Sequence, residues 1–342
     1  MKQFHCPACR ENIFFEQDAC ARCGARLAFD PSSLQFRRAD DMAPCANRSL
    51  IGCNWGAPPD NAYCASCSLT RTIPLLHTRR HVVLWRRVED AKRRLLYDLA
   101  RLRLPLSETD GPRQIAFDIL ADDAGQPIMT GHLNGLITLN LSEADDVERE
   151  ARRAEFREPY RTLLGHFRHE VGHFYWDLLV DSTRLQRPFR LIFGDETASY
   201  QDSIGRYHAR VDRTYDRAAF ISEYATSHPW EDWAETFAHF LHIVSTLDSA
   251  SSLPLSIDGG SHRTLEDPYL EIDFEALLAS WMPVAHTLNE LNRSMGLSDA
   301  YPFELSRAVK GKLHFVHMAI LNFRSQARAR EFGLTEASAE LA

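Results

Sequence analysis

Residues 166–177 read His166-Phe167-Arg168-His169-Glu170-Val171-Gly172-His173-Phe174-Tyr175-Trp176-Asp177, and within them lies the pattern His169-Glu170-x-x-His173. On a helix, positions i and i+4 share one face, so His169 and His173 can turn two imidazole nitrogens toward one Zn²⁺. Glu170, beside them, is placed to take a proton from water that such a metal activates. The chain holds 15 His and 47 acidic residues. Chance alone supplies the pattern about 0.1 times in a chain of that composition, so the surroundings must decide. They favour a helix. Pro159 suits a first helical turn, and Leu163, Leu164, Phe167, Val171, Phe174, Leu178 and Leu179 recur at helical spacing. His166 and Asp177 fall on the motif face, one turn before and after it. The plain alternative is a buried helix whose histidines are merely hydrogen-bonded.

With 342 residues, the chain is long enough for about two domains. Apolar content of 44% and charged content of 25% are those of an ordinary soluble globular protein. No apolar run approaches membrane-spanning length, and the N-terminus leads straight into a cysteine motif without a signal-like apolar stretch. A cytoplasmic protein with no membrane partner is expected. The net charge of −8 is uneven: residues 1–100 carry 15 Lys and Arg against 10 Asp and Glu. Arg86, Arg87, Arg93, Arg94 and Arg101 fall in one expected helix with an apolar stripe of Val88, Ala91, Leu95, Leu99 and Leu102. A solvated helix face accounts for them better than a nucleic-acid surface, since no aromatic-rich stacking surface accompanies them.

All eight cysteines lie in the first 67 residues: Cys6-x2-Cys9, Cys20-x2-Cys23, Cys45-x7-Cys53 and Cys64-x2-Cys67. In a cytosolic protein this spacing indicates zinc rather than disulfides. Four thiolates close a tetrahedral shell and leave no position open for chemistry, so these are structural sites. The first set resembles a zinc ribbon, with Gly24 at a tight turn and Ile13-Phe14-Phe15 as a strand between knuckles. Two sequential sites, Cys6/Cys9/Cys20/Cys23 and Cys45/Cys53/Cys64/Cys67, close shorter loops than an interleaved arrangement and are preferred. His5 is not needed as a ligand.

Beyond the cysteines, residues 79–104 read as one helix ended by Pro105. Leu104-Pro105-Leu106-Ser107 and Asp110-Gly111-Pro112 mark a break. Gln114–Leu120 alternates in part and ends at the turn Asp122-Asp123-Ala124-Gly125. Leu136-Ile137-Thr138-Leu139 is strand-like; it is a candidate edge strand to hold a substrate backbone, with an interior strand as the alternative. From residue 144 the pattern is mostly helical, and the last twenty residues read as a fraying helix.

Two histidines do not complete a catalytic zinc site, which needs a third protein ligand and one open position. No third histidine follows at the short spacing H-E-x-x-H-x-x-G-x-x-H. The other source is an acid on a later helix. After Pro229, a helix-start residue, Glu231, Glu235, His239 and His242 step along one face between Trp230, Trp233, Phe237 and Leu241. Such a row is costly to bury unless it is paired or metal-bound. Residue chemistry alone allows either Glu231 or Glu235 as the ligand.

The string Glu231-Asp232-Trp233-Ala234-Glu235-Thr236-Phe237-Ala238, after a His-Glu-Val-Gly-His helix, resembles the zinc-binding metallopeptidase family of bacteria with an N-terminal zinc-ribbon domain. Cys45-Ala46-Asn47, Gly52-Cys53-Asn54-Trp55 and His228-Pro229-Trp230 extend the likeness over nearly the whole chain. More distantly, the catalytic part is similar to the peptidase domain of anthrax lethal factor, a gluzincin. There a tyrosine precedes the zinc-ligand glutamate by seven positions and a second glutamate follows by four. Tyr224, Glu231 and Glu235 keep both intervals, and Asp177 stands four residues after the second histidine. The resemblance implies Glu231 as third ligand, Tyr224 as the hydroxyl facing the reacting carbonyl, and Glu235 behind a ligand histidine.

The expected fold is α+β: a mostly helical zincin-like metallopeptidase domain with a small sheet (113–342), preceded by a small Cys-rich zinc-ribbon module (1–70) and a linking helix (71–112). The expected activity is zinc-dependent hydrolysis of peptide bonds in a peptide or protein substrate. Glu170 acts as base, and Tyr224 stabilises the oxyanion. His228 is a candidate second donor, with helix capping as its alternative role. Glu235 and Asp177 fix histidine orientation. Three Zn²⁺ are expected, one catalytic and two structural. His239, His242, His314 and His317 are assigned to structure. Rival readings are a nucleic-acid-associated protease docking through the ribbon, and a catalytically silent zinc-binding interaction protein. Intact Glu170 and Tyr224 argue against the latter.

Overall fold

The cysteine-rich front end has few aliphatic residues, and it builds its core from rings instead. In the computed structural model, which describes residues 1–108, 111–122, 128–155, 158, 160–253 and 265–331, three short antiparallel ribbons carry the knuckles. They are β1 (Phe4–His5) with β2 (Asn12–Ile13), β3 (Leu27–Asp30) with β4 (Gln35–Arg38), and β5 (Ala43–Pro44) with β6 (Gly56–Ala57). One turn of helix, α1 (Arg48–Ile51), lies between β5 and β6. Phe4, Phe15, Phe29, Phe36 and Trp55 cluster, mostly edge to face. Such pairs add about 0.5–1.5 kcal/mol each beyond their buried area. Tyr97 joins the cluster from α2 (Arg79–Arg101), 6.1 Å from Phe4 and 5.6 Å from Phe15. The ribbon core therefore includes a residue far outside the cysteine segment. Asn54 ties the two cysteine segments together, its Nδ2 donating to Phe15 O at 2.6 Å and Gln17 O at 3.1 Å.

A four-stranded sheet follows, in the order β7 (Thr70–Thr72), β8 (Ala116–Leu120), β10 (Leu136–Asn140), β9 (Gly131–Leu133). Strands β7, β8 and β10 run parallel, and β9 returns antiparallel. Residues 136–138 are thus interior, paired on both sides, which corrects the candidacy of 136–139 as an edge strand for substrate. The physical reason is the hairpin at Asn134-Gly135, both with positive φ (50° and 89°), the signature of a two-residue turn. It folds β9 onto the side of β10 that would otherwise be open. A side chain at Gly135 would also meet Gln114 O at 2.4 Å. Phe117, Ile119, Ile137 and Leu139 are fully buried. Helix α2 ends three residues before the expected Leu104, because Arg103 takes a positive φ of 56°, a conformation that closes helices. Helix α3 (Asp146–Glu155) comes next.

Several of the arginines that make the front end basic are engaged. Arg71 pairs with Asp118 at 3.0 Å, Arg87 with Asp146 at 3.1 Å, and Arg94 with Glu16. Pro159, Asp110, Asp123-Ala124-Gly125 and the chain from residue 332 onward lie outside the described residues.

Contacts divide the chain into two units: Met1–Ala100 with Thr109–Phe167 and Ser252–Pro254, and Arg101–Glu108 with Arg168–Ser251 and Leu255–Ala342. Helix α4 (Leu163–Leu179) carries the motif, and its residues from Arg168 onward belong to the second unit. That unit is helical: α5 (Gln186–Phe193), α6 (Tyr200–Ala209), α7 (Pro229–Ser252), α8 (Phe274–Ser294) and α9 (Arg307–Glu331). Its core gathers Phe189, Phe193, Trp233 and Phe315. The described chain is α+β, mostly helical with small sheets. Among the described residues, no helix is long and apolar enough to cross a membrane.

The contact that sets the site is between α4 and α7. A Cβ on Gly172 would stand 3.0 Å from Ala234 Cα and 3.2 Å from Ala234 O. Trp233 Nε1 donates to Gly172 O at 2.8 Å, and Tyr175 stacks on Phe237 at 5.3 Å. Two small residues let the backbones approach, and buried rings hold them there. In a helix interior, Gly→Ala ordinarily stabilises by up to about 1 kcal/mol. Gly172→Ala should reverse that sign and cost about 1–3 kcal/mol through overpacking. Urea unfolding of the two proteins measures it, and a stabilised variant would remove the close crossing as a constraint.

Candidate metal centre

The crossing of α4 and α7 brings three ligand atoms together. His169 Nε2 lies 2.9 Å from Glu231 Oε2, and His173 Nε2 lies 3.4 Å from the same oxygen. All three ligand atoms fall within 4.8 Å of one another. A tetrahedral zinc with ligand bonds of about 2.0–2.1 Å has ligand–ligand edges of about 3.3–3.4 Å, so the set has the right size. His173 and Glu231 are buried. His173 lies against Trp230, ring centroids 3.8 Å apart.

Glu235, one turn after Glu231 on α7, accepts from His169 Nδ1 at 2.7 Å. That bond orients the His169 ring with Nε2 toward Glu231, the arrangement in which a carboxylate backs a ligand histidine. Residue chemistry left Glu231 and Glu235 as alternatives. The geometry separates them: Glu231 faces both Nε2 atoms, and Glu235 faces the back of one ring.

Electrostatics describe the same set. Burial works against a charged His169, yet the carboxylates of Glu231 and Glu235 outweigh it and draw its pKa well above the ordinary value. Burial likewise pushes Glu231 up, and the two histidines overcome it and hold the carboxyl well below the usual range. Desolvation pushes the half-buried Glu235 up as well, and its hydrogen bond to His169 brings it down to about 2. A buried carboxylate facing two imidazoles, with a second, half-buried carboxylate behind one of them, forms a donor set that demands positive charge, and a divalent cation answers it. The residues therefore fit zinc.

Glu170 follows His169 and is buried. Burial first, then the Glu231 carboxylate and more weakly that of Glu170, raise the pKa of both Tyr200 and Tyr224. Tyr224 sits in the 3₁₀ turn Tyr224–Thr226 just before α7, its ring 5.7 Å from that of His169. Its hydroxyl stays protonated and able to donate. Asp177 stands one turn past His173 on α4, half-buried. Lys312 braces the arrangement from α9: its Nζ donates to Ala219 O at 2.7 Å and to Asp232 Oδ2 at 2.6 Å. The loop before Tyr224 and the helix bearing Glu231 are thereby tied to one cation.

His228 is not available as an oxyanion donor. Its Nδ1 accepts from Trp230 N–H at 3.1 Å, capping α7, and its Nε2–H donates to Ala198 O at 3.1 Å. Both nitrogens are committed to backbone, so His228 caps a helix and is not an oxyanion donor. His239 hydrogen-bonds Tyr301 at 3.0 Å, and burial pushes its pKa down to about 4, so it is neutral. His314 stacks on Phe274, and His317 bonds Glu271 O. None of these, nor His242, belongs to a ligand set among the described residues.

Tyr200 is the residue that sequence reasoning missed. It opens α6, and its hydroxyl donates to Glu231 Oε1 at 2.8 Å. The only local sign is Ser199 before it, a helix cap, which says nothing about a partner 31 positions away.

The cysteines form two sequential sets, Cys6/Cys9/Cys20/Cys23 and Cys45/Cys53/Cys64/Cys67. All eight are free thiols. Sulfur–sulfur distances of 3.8 Å (Cys6–Cys23), 3.7 Å (Cys9–Cys20), 3.6 Å (Cys53–Cys64) and 3.8 Å (Cys53–Cys67) match the edge of about 3.8 Å for a tetrahedron with Zn–S near 2.3 Å. The second set is wholly buried, whereas Cys23 of the first is exposed.

Comparison with known proteins agrees with this chemistry. Residues 3–78 match a zinc-ribbon domain, and residues 81–319 match the family described as "Putative zinc-binding metallo-peptidase". Uncharacterized proteins of Mycobacterium bovis and of two Mycobacterium tuberculosis strains are each 41% identical over 329 residues, covering 94% of this chain and 95% of theirs. No solved structure matches. With a metallo-peptidase match across most of its length behind a zinc ribbon, the chain belongs to this zinc-binding metallo-peptidase family.

Proposed function

We propose that this protein is a zinc-dependent peptidase whose third ligand is Glu231, working on a peptide or protein substrate. The observation that carries the reading is the convergence of His169 Nε2, His173 Nε2 and Glu231 Oε2 beside Glu170. Those three residues hold the catalytic zinc, and each cysteine set holds one structural zinc. A bound Zn²⁺ supplies Lewis acidity, polarising a carbonyl and lowering the pKa of water toward about 7.

The chain's own groups carry the rest. Glu170 takes the proton of the attacking water through its carboxylate and returns it to the nitrogen of the departing amine. Tyr224, kept protonated by burial and by the neighbouring carboxylates, donates its O–H to the carbonyl oxygen as negative charge develops there. Glu235 keeps the His169 ring in the tautomer that presents Nε2. His228 contributes by capping α7 at the turn where Glu231 sits.

Glu170→Gln should retain the fold and the metals yet lose hydrolysis by a factor of about 10² or more. Cleavage profiling of a peptide library with wild type and variant measures this, and an active, well-folded variant would overturn the assignment. Metal analysis of the purified chain should give three zinc ions, falling to two in His169→Ala. Two ions in both proteins would place no metal at the helix motif.

A further inference from the structure

Glu231 presents its two oxygens to different partners. Oε2 faces His169 Nε2 at 2.9 Å and His173 Nε2 at 3.4 Å, while Oε1 accepts the Tyr200 hydroxyl at 2.8 Å. A carboxylate can bind a metal through one oxygen or two, and the choice decides whether a coordination position stays open. Resting on the metal-centre reading above, we propose that Tyr200 is a positioning residue: its hydroxyl holds Glu231 as a one-oxygen ligand and keeps the remaining position free for water and substrate.

The fold places Tyr200 with some care for a residue outside the motif. Ser199 caps α6 through its side chain, accepting from Asp202 N. Two residues before Tyr200, Ala198 O accepts from His228 Nε2. The His228 ring meets Tyr200 edge-on at 5.4 Å, and Trp230 meets it at 5.8 Å. Since His228 also caps α7, one imidazole fixes the start of the helix bearing Glu231 and the start of the helix bearing Tyr200. The two side chains are registered to each other through it.

The geometry also divides labour between the two phenols. Tyr200 has a single proton, and it is given to Glu231, so Tyr200 has none to donate to a substrate oxyanion. That task falls to Tyr224. Removal of the Tyr200 hydroxyl frees Oε1 to swing onto the metal beside Oε2, which raises the coordination, crowds the position left for substrate and loosens the ligand, whereas the Tyr224 hydroxyl reaches Tyr200, so its removal leaves Oε1 with its donor.

The test is Tyr200→Phe, which deletes one oxygen and keeps the ring contacts to His228 and Trp230, with Tyr224→Phe as its counterpart. Zinc affinity at the helix site is read by competition with a chromophoric chelator. Coordination is read from the visible absorption of Co²⁺ placed there while the cysteine sets keep zinc. Tyr200→Phe should bind the helix-site metal about 10–100-fold more weakly, and its Co²⁺ bands should fall in intensity as coordination rises from four to five. Both cysteine-bound zinc ions should remain, which certifies the fold. Tyr224→Phe should keep wild-type affinity and spectrum while losing turnover. Wild-type affinity and an unchanged Co²⁺ spectrum in Tyr200→Phe would overturn the proposal and leave the metal centre intact. A wild-type chain that binds no third metal would instead overturn the metal-centre reading, and this proposal with it.

Discussion

The candidate site depends on how closely two helices can cross. At Gly172 and Ala234 the backbones of α4 and α7 come near enough that one added methyl group would press on a neighbouring main chain. That separation lets His169 and His173, on one helix, and Glu231, on the other, bring their ligand atoms within reach of a single ion. Trp233 secures the crossing by donating from its indole to Gly172 O. The glycine in His-Glu-Val-Gly-His thus has a packing reason, and the tryptophan in the second motif has a hydrogen-bonding one. A residue pair with no chemistry of its own sets the geometry of the residues that have it.

Buried charge on α7 is tolerated because its carboxylates face counterparts. Glu231 and Glu235 face the histidines, and Lys312 answers Asp232. Each of these groups would be expensive to bury alone. Contributed by α4, α7 and α9, they hold the carboxylates and imidazoles in place against one another. The cysteine region reaches rigidity differently. Its thiols take tetrahedral spacing, and its rings pack around Phe4, Phe15 and Phe29 with help from Tyr97 of α2. Metal and aromatic stacking replace the aliphatic core that so short a segment cannot supply.

Much of this could be read from the linear chain where the pattern is local. The i, i+4 histidines, the cysteine spacings and the Pro229 helix start follow from repeat distances within one helix or one loop. The α+β class followed from long helical periodicities beside a short β-rich run. Errors arose where the answer depended on partners distant in sequence. Leu136–Leu139 looked as much like an edge strand as an interior one, because strand composition does not say how many neighbours a strand has. The Asn134-Gly135 hairpin decided it. His228 stood between Tyr224 and Glu231 in the chain and so suggested chemistry. In space both of its nitrogens are spent on backbone.

The sequence by itself determined the chemical inventory: which side chains can ligate, which acid lies beside a histidine pair, and how the eight cysteines divide by loop length. These are properties of residue type and short-range spacing, and no folding is needed to state them. Only the tertiary structure decided how the carboxylates are shared, with Glu231 toward both imidazoles and Glu235 behind one of them. It alone brought Tyr200 to Glu231 across 31 positions. The physical reason is that ligand geometry is set where separate helices meet, and the side chains that aim a carboxylate are chosen by proximity in space, which spacing along the chain does not encode.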